Sequence, residues 1–189
     1  MHDRDPGSDG HVIQRSVVDP HAFAAIFERH FDALYGYVRR RVAADLAEEI
    51  ATETFTRAFD ARRKFDVERA DARPWLLGIA ANLLRRHWRT ERRRLEAYAR
   101  IGGPRPSTDA GTRVEVVAAL DSLSRDERET LFLYAVADLS YEEIADALQI
   151  PVGTVRSRLS RARGRIRQRV RSESAEVAAS SDPKESFNV

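Results

Sequence analysis

Cysteine is missing from all 189 residues. Its absence excludes disulfides, thiolate catalysis and zinc sites of the usual Cys/His kind. Lysine is nearly missing too: of 32 lysines and arginines, only Lys64 and Lys184 are lysine. The basic character is therefore arginine, whose planar fork suits phosphate and guanine. No apolar run approaches the length of a membrane span, so no stable membrane insertion is expected. The opening MHDRDPGSDG has no apolar core and shows no signal peptide, and a cytoplasmic location is the expectation. No segment alternates with a period of two, which predicts no sheet. The five histidines, His2, His11, His21, His30 and His87, show no ligand spacing, and no glycine-rich phosphate loop occurs. The sequence therefore reads as a non-enzyme with no metal and no cofactor.

What is present is charge, and it is segregated. Charged residues make up 33% of the chain and hydrophobic ones 42%, yet the net charge is only +2. Residues 1–18 are polar and read as a flexible arm. Asp19 and Pro20 supply an N-cap and a first-turn proline. A helix is predicted next, with Phe23, Ile26, Phe27, Phe31, Leu34 and Val38 on one side. ADLAEEIATETFTRAFDARRKF predicts a second helix, with Leu46, Ile50, Phe55 and Phe59 inward. The loop DVERADAR leads to Pro74 and a third helix, PWLLGIAANLLRRHWRTERRR. Residues 99–112, ARIGGPRPSTDAGT, have linker composition. Three capping boxes follow, TRVE, SRDE and SYEE, and open helices near 113, 125 and 141. Residues 173–189 are small and polar and predict a disordered tail. The expected fold is all-α: two small helical domains, 19–98 and 113–172, joined by a flexible linker.

The stretch SYEEIADALQIPVGTVRSRLSRAR (140–163) has the layout of a helix-turn-helix. Ile144, Ala145 and Leu148 form the stripe of its first helix, and QIP is the turn. An apolar seam follows at Val155, Leu159, Ala162, Ile166 and Val170, spaced as on a helix. Eight arginines lie between Arg156 and Arg171 with no acidic residue among them. Opposite the seam lies a ridge of small residues, Gly153, Ser157, Ser160 and Gly164. Arg156, Arg163 and Arg167 flank the ridge on one side; Arg158, Arg161 and Arg165 flank it on the other. A small ridge between arginine rails can enter a major groove. Thr154, Arg156, Ser157, Arg158, Ser160, Arg161, Arg163 and Arg165 are the candidate DNA-binding set.

LSYEEIADALQIPVGTVRSRLSRARGRIR resembles the promoter-binding domain of bacterial sigma factors of the extracytoplasmic-function group. EEIATETFTRAF resembles the segment by which these factors dock on core RNA polymerase, with Glu53-Thr54-Phe55 at its end. RPWLLGIAANLLRRHWRTERRR resembles the segment that opens and reads the −10 element. The resemblance covers about 20–98 and 112–171. It implies a non-catalytic initiation factor that binds core polymerase, at the clamp helices of the largest subunit and the flap of the second-largest. It also implies promoter DNA, duplex at the −35 element and single-stranded at the −10 element. An anti-sigma factor is expected from the family habit alone. The sequence departs from the pattern at Leu46, Thr52, Gly78, Ala81 and Ser160.

On the third helix Asn82, Arg85, Arg86, Arg89 and Arg93 share one face. An asparagine among arginines suits base-edge hydrogen bonding beside phosphate anchoring. The resemblance implies that this face holds the unwound −10 strand, and that the loop before Pro74 helps cup a flipped base. Trp75 and Trp88 are the available stacking platforms, although both adjoin apolar positions that favour core packing. On the second helix Asp45, Glu48, Glu49, Glu53 and Asp60 sit near a single arginine, Arg57. Alone this is a solvated face. With the resemblance, Asp45, Glu48, Glu49, Glu53 and Phe55 become the docking set. A stand-alone operator-binding regulator would use the same helix-turn-helix, but leaves the Asn82 face and the acidic helix unexplained. A single-strand RNA-binding protein leaves the turn unexplained.

Overall fold

The computed structural model describes residues 7–100, 120 and 122–180. Every regular element among the described residues is helical. The first is α1 (Asp9–Ser16), where the composition predicts a flexible arm. Tertiary contacts make this helix. Val12 and Ile13 are buried. Asp9 is also buried, and its carboxylate accepts from Arg29 at 3.0 Å, the Ala72 N–H at 2.9 Å and His30 at 2.6 Å. Gly10 lets the helix lie against the loop before Pro74. A Cβ there would fall 2.6 Å from the Arg69 carbonyl oxygen and closer still to that of Val67.

Burial by itself would raise the Asp9 carboxyl. The His30, Ala72 and Arg29 hydrogen bonds outweigh it and lower the pKa from 3.8 to about 2. A carboxylate whose folded pKa lies below its unfolded value stabilises the fold above the unfolded pKa. That stability is lost as pH falls through the folded one. Asp9→Asn is therefore expected to cost about 2 kcal/mol at neutral pH. The difference from wild type should close between about pH 4 and pH 2, as urea titrations at stepped pH would record.

Asp19 caps a 3-10 turn, Pro20–Phe23, accepting from the His21 N–H at 3.2 Å, as the sequence predicts. Then come α2 (Ala24–Arg39), α3 (Ala44–Ala61) and α4 (Arg73–Arg100). Their core holds Ile26, Leu34, Val38, Ala47, Ile50, Ala51, Phe55, Leu76, Leu77, Ala80 and Leu84. Phe27, predicted inward, is 41% exposed and stacks on Phe31 at 4.8 Å. Tyr37 takes a buried place that the stripe did not include.

The second half contains α5 (Arg125–Ala135), α6 (Tyr141–Leu148) and α7 (Val152–Ser180). Two of the predicted capping boxes are present, Ser124 with Glu127 and Ser140 with Glu143. The helix predicted near 113 and most of the linker lie outside the described residues, as does the chain beyond Ser180. Gln149 ends α6 in the left-handed region, φ 54°, and makes the sharp turn into α7. Val155, Leu159 and Ala162 of the seam are fully buried. The seam then runs off the domain, and Val170 is 50% exposed. Helix α7 continues to Ser180, past the predicted start of a disordered tail at 173. SESAEVAAS carries no glycine or proline, and alanine and glutamate sustain a helix.

The two halves pack into one body with a shared core, in which Leu133, Ala137, Leu139 and Ile144 join Leu76 and Leu77. Helix α6 lies directly on α4. A Cβ at Gly78 would fall 3.1 Å from the Ala147 Cα and carbonyl carbon, and closer still to the oxygen. Gly78 and Ala81, two departures from the resembled pattern, are both buried. Elsewhere Arg69 pairs with Asp146 at 3.1 Å, and Arg73 donates to the Ala137 carbonyl. Tyr37 donates to Glu129 at 2.6 Å, and Arg41 donates to the same carboxylate oxygen at 2.8 Å. Burial, then the Glu129 charge, pushes the Tyr37 hydroxyl well above its usual pKa, so it stays protonated as the donor.

Candidate nucleic-acid interface

The small ridge on α7 is where the sequence places it. Gly153, Ser157 and Ser160 are exposed opposite the buried seam, and Gly164 is half-buried. Thr154 is half-buried, and its carbonyl accepts from the Ser157 hydroxyl at 3.0 Å. The rails divide in a way that spacing did not show. Arg158 is drawn back to Asp126 of α5 at 2.6 Å, with its side chain only 18% exposed. Arg161 and Arg165 both reach Glu127 of α5, at 3.3 and 3.2 Å. Arg165 also donates to the Ser122 carbonyl at 3.1 Å. Across the ridge, Arg163 lies over the Tyr134 ring at 5.2 Å. A hydrogen bond with Tyr141 raises its pKa beyond the ordinary arginine value. Arg156 is exposed and makes no ion pair with the described residues.

Glu127 was not among the predicted site residues. Its capping box was legible in SRDE, but its second role, facing α7, depends on how α5 crosses α7. Burial pushes the Glu127 carboxyl up. The Ser124 hydrogen bonds and the Arg165 and Arg161 charges more than reverse that, holding it below the usual 4.5.

On α4, Asn82, Arg86, Arg89 and Arg93 are exposed and Arg85 is half-buried. These four arginines form no ion pair with the described residues, whereas Arg92 on the same helix pairs with Glu96 at 2.7 Å. Asn82 lines a cleft between α4 and α6 with Trp75, Gly78, Asp146 and Gln149. The two tryptophans part company. Trp75 is half-buried, its ring 4.8 Å from Phe65, as core packing predicts. Trp88 is 40% exposed and meets His87 edge-on at 5.1 Å.

On α3, Asp45, Glu48 and Glu49 are exposed and make no ion pair with the described residues. Glu53 is taken by Arg57 at 2.7 Å. Phe55, predicted as part of the docking set, is buried and packs on Phe27 at 4.9 Å. Its ring supports α3 from within and offers no surface. Asp9, His30 and Asp71 come within 4.8 Å of one another, a grouping that the sequence did not suggest. The Arg29, His30 and Ala72 contacts already occupy Asp9. No helix among the described residues is long and apolar enough to cross a membrane.

Comparison with known proteins joins these surfaces. The sigma-70 region 2 family matches residues 26–94, and sigma-70 region 4 matches 113–166. The extracytoplasmic-function sigma factor EcfG of Rhodopseudomonas palustris is 35% identical over 128 residues, which are 65% of this chain and 70% of that one. The chain belongs to the extracytoplasmic-function group of RNA polymerase sigma factors. The probable sigma-C factor of Mycobacterium bovis is 39% identical to this sigma factor over 123 residues, 62% of this chain and 66% of that protein. Among solved structures, that of CnrH in complex with the cytosolic domain of CnrY has a TM-score of 0.63 and 26% identity. That match covers 92% of this chain and 99% of CnrH. Sigma factors are non-catalytic: they bind core RNA polymerase and promoter DNA, and the polymerase performs the chemistry. In this sigma factor, the region 2 match takes in α2 from Ile26 on, all of α3 and α4 as far as Arg94. Region 4 contains the helix-turn-helix of α6 and α7.

Proposed function

We propose that this sigma factor works through three surfaces of its own chain. Asp45, Glu48 and Glu49 on α3 dock on the clamp helices of core polymerase. The Asn82, Arg85, Arg86, Arg89 and Arg93 face of α4 takes the unwound −10 strand. The Gly153, Ser157 and Ser160 ridge of α7 enters the major groove of the −35 element, with Arg156 and Arg161 beside it. The flap of the second-largest subunit receives the C-terminal domain, and an anti-sigma factor is a further partner on the family habit. All of this takes place in the cytoplasm. The reading is carried by one observation: a single chain presents an unpaired acidic face and two separate basic faces on rigid helices. An operator-binding regulator has use for only one of the three.

Run-off transcription with purified core polymerase tests it. The chain alone is expected to bind duplex promoter weakly, and with core polymerase to initiate at specific sites. Tight operator binding by the chain alone, with no transcription on adding core polymerase, overturns the proposal. Asn82→Ala tests the α4 assignment separately. It is expected to lower permanganate reactivity of unpaired −10 thymines several-fold while leaving duplex capture nearly unchanged. A normal open complex would return Asn82 to the role of a helix-surface residue.

A further inference from the structure

The arginines of α7 are not equivalent, and Glu127 makes the difference. Glu127 belongs to α5, yet it reaches under the recognition helix and is 3% exposed. Oε1 meets Arg161 Nε at 3.3 Å, and Oε2 meets Arg165 Nη1 at 3.2 Å. The contact on Arg161 is made through Nε, at the inner edge of the guanidinium. Its terminal nitrogens have no partner other than Glu127 among the described residues, on a side chain 59% exposed. Those nitrogens form the edge that pairs bidentately with guanine O6 and N7. Arg165 is held at one nitrogen by both Glu127 and the Ser122 carbonyl. It is a strut between the helices.

We propose that Glu127 is a positioning residue for promoter readout, fixing the Arg161 guanidinium on the ridge of α7 with its terminal nitrogens directed at a guanine edge. The inference rests on the α7 surface being the −35 reader. It goes further in assigning discrimination to a carboxylate that never touches DNA. A long arginine left free samples many rotamers and grips phosphate and base alike. Tethered at Nε, it meets a base pair in one orientation. The preorganised fork gains selectivity because less side-chain freedom is lost on contact.

Glu127→Gln separates positioning from structure. Glutamine at the third helical position still accepts from the Ser124 N–H, so the capping box of α5 survives. Only the charge that holds the two guanidiniums is lost. Holoenzyme binding to single-base variants of the −35 element, at two salt concentrations, gives the readout. Discrimination at one guanine position is expected to fall about tenfold. Binding to unrelated duplex should hold or strengthen, because the negative charge beneath these arginines no longer offsets their attraction to phosphate. In the Gln background, Arg161→Ala should cost far less of that discrimination than it does in wild type. Unchanged discrimination, or equal weakening on every sequence, overturns the proposal. Should Glu127→Gln lose helicity, Glu127→Asp keeps the charge and suits a first helical turn. Its shorter reach is expected to produce a smaller loss at the same base, and no loss there is equally fatal. A wild-type holoenzyme that shows no −35 preference would instead reject the α7 assignment beneath it.

Discussion

Replacing Glu48 and Glu49 together by arginine is expected to weaken binding to core RNA polymerase roughly a hundredfold. Both carboxylates are exposed on α3, and neither is neutralised by a described residue. Glu53 is a poorer target, because Arg57 already balances it at 2.7 Å. Reversing two charges turns attraction into like-charge juxtaposition. At a partly hydrated interface that costs about 3 kcal/mol in total. The fold should be indifferent, since neither side chain is buried. Co-purification with core polymerase measures the effect, and circular dichroism checks the helices. The loss should be greatest at low salt and shrink as salt screens the surface. Full binding by a folded double variant would move the dock away from α3.

The second large effect is expected at Gly78. A leucine there cannot be seated while α6 lies on α4, because its Cβ meets the Ala147 backbone and no rotamer relieves that. Helix α4 itself should gain, since leucine is about 1 kcal/mol better than glycine within a helix. Gly78→Leu is therefore expected to part the two halves without unfolding region 2. Paired fluorophores on α3 and α7 should show high energy transfer in the free wild-type chain and low transfer in the variant. Wild type in a promoter complex should also show low transfer, for a reason of scale. Elements centred near −10 and −35 are roughly 25 base pairs apart, about 85 Å at 3.4 Å per pair. A compact chain of this size is roughly 40 Å across. High transfer persisting in both cases would mean that the α4–α6 packing is not what holds the halves together.

These two targets differ in how far the sequence announced them. The acidic face could be read from the repeat of carboxylates on one helix, because the signal is local. So could the helix-turn-helix, whose seam at Val155, Leu159 and Ala162 is buried as its spacing predicts. Capping boxes at Ser124 and Ser140 marked helix starts for the same reason: donor and acceptor are three residues apart. The role of Gly78 was not legible. As sequence it is a weak helix residue, and only the α6 backbone above it gives it a purpose. Helix α1 was missed likewise. Asp9 is ordered by Arg29, His30 and Ala72, which lie at least 20 residues away. Glu127 was legible as a cap and illegible as the partner of Arg161. Phe55 was read both as an inward residue by its spacing and as a member of the docking set by its motif, and its ring belongs to the interior.

The Tyr37–Arg41–Glu129 contact bears on how the halves separate. The Arg41 and Glu129 side chains are only 8% and 14% exposed while the halves are together. Burying a charged pair forfeits hydration worth several kcal/mol per ion, and the attraction gained does little more than offset it. When the halves part, both groups recover their water. The ion pair therefore adds little to the work of separation, although it matches only one arrangement of the two surfaces. Removing one member has the opposite character, because Glu129→Ala would leave the guanidinium dry and unmatched. The junction behaves as a clasp, selective about how it shuts and weakly resistant to being undone.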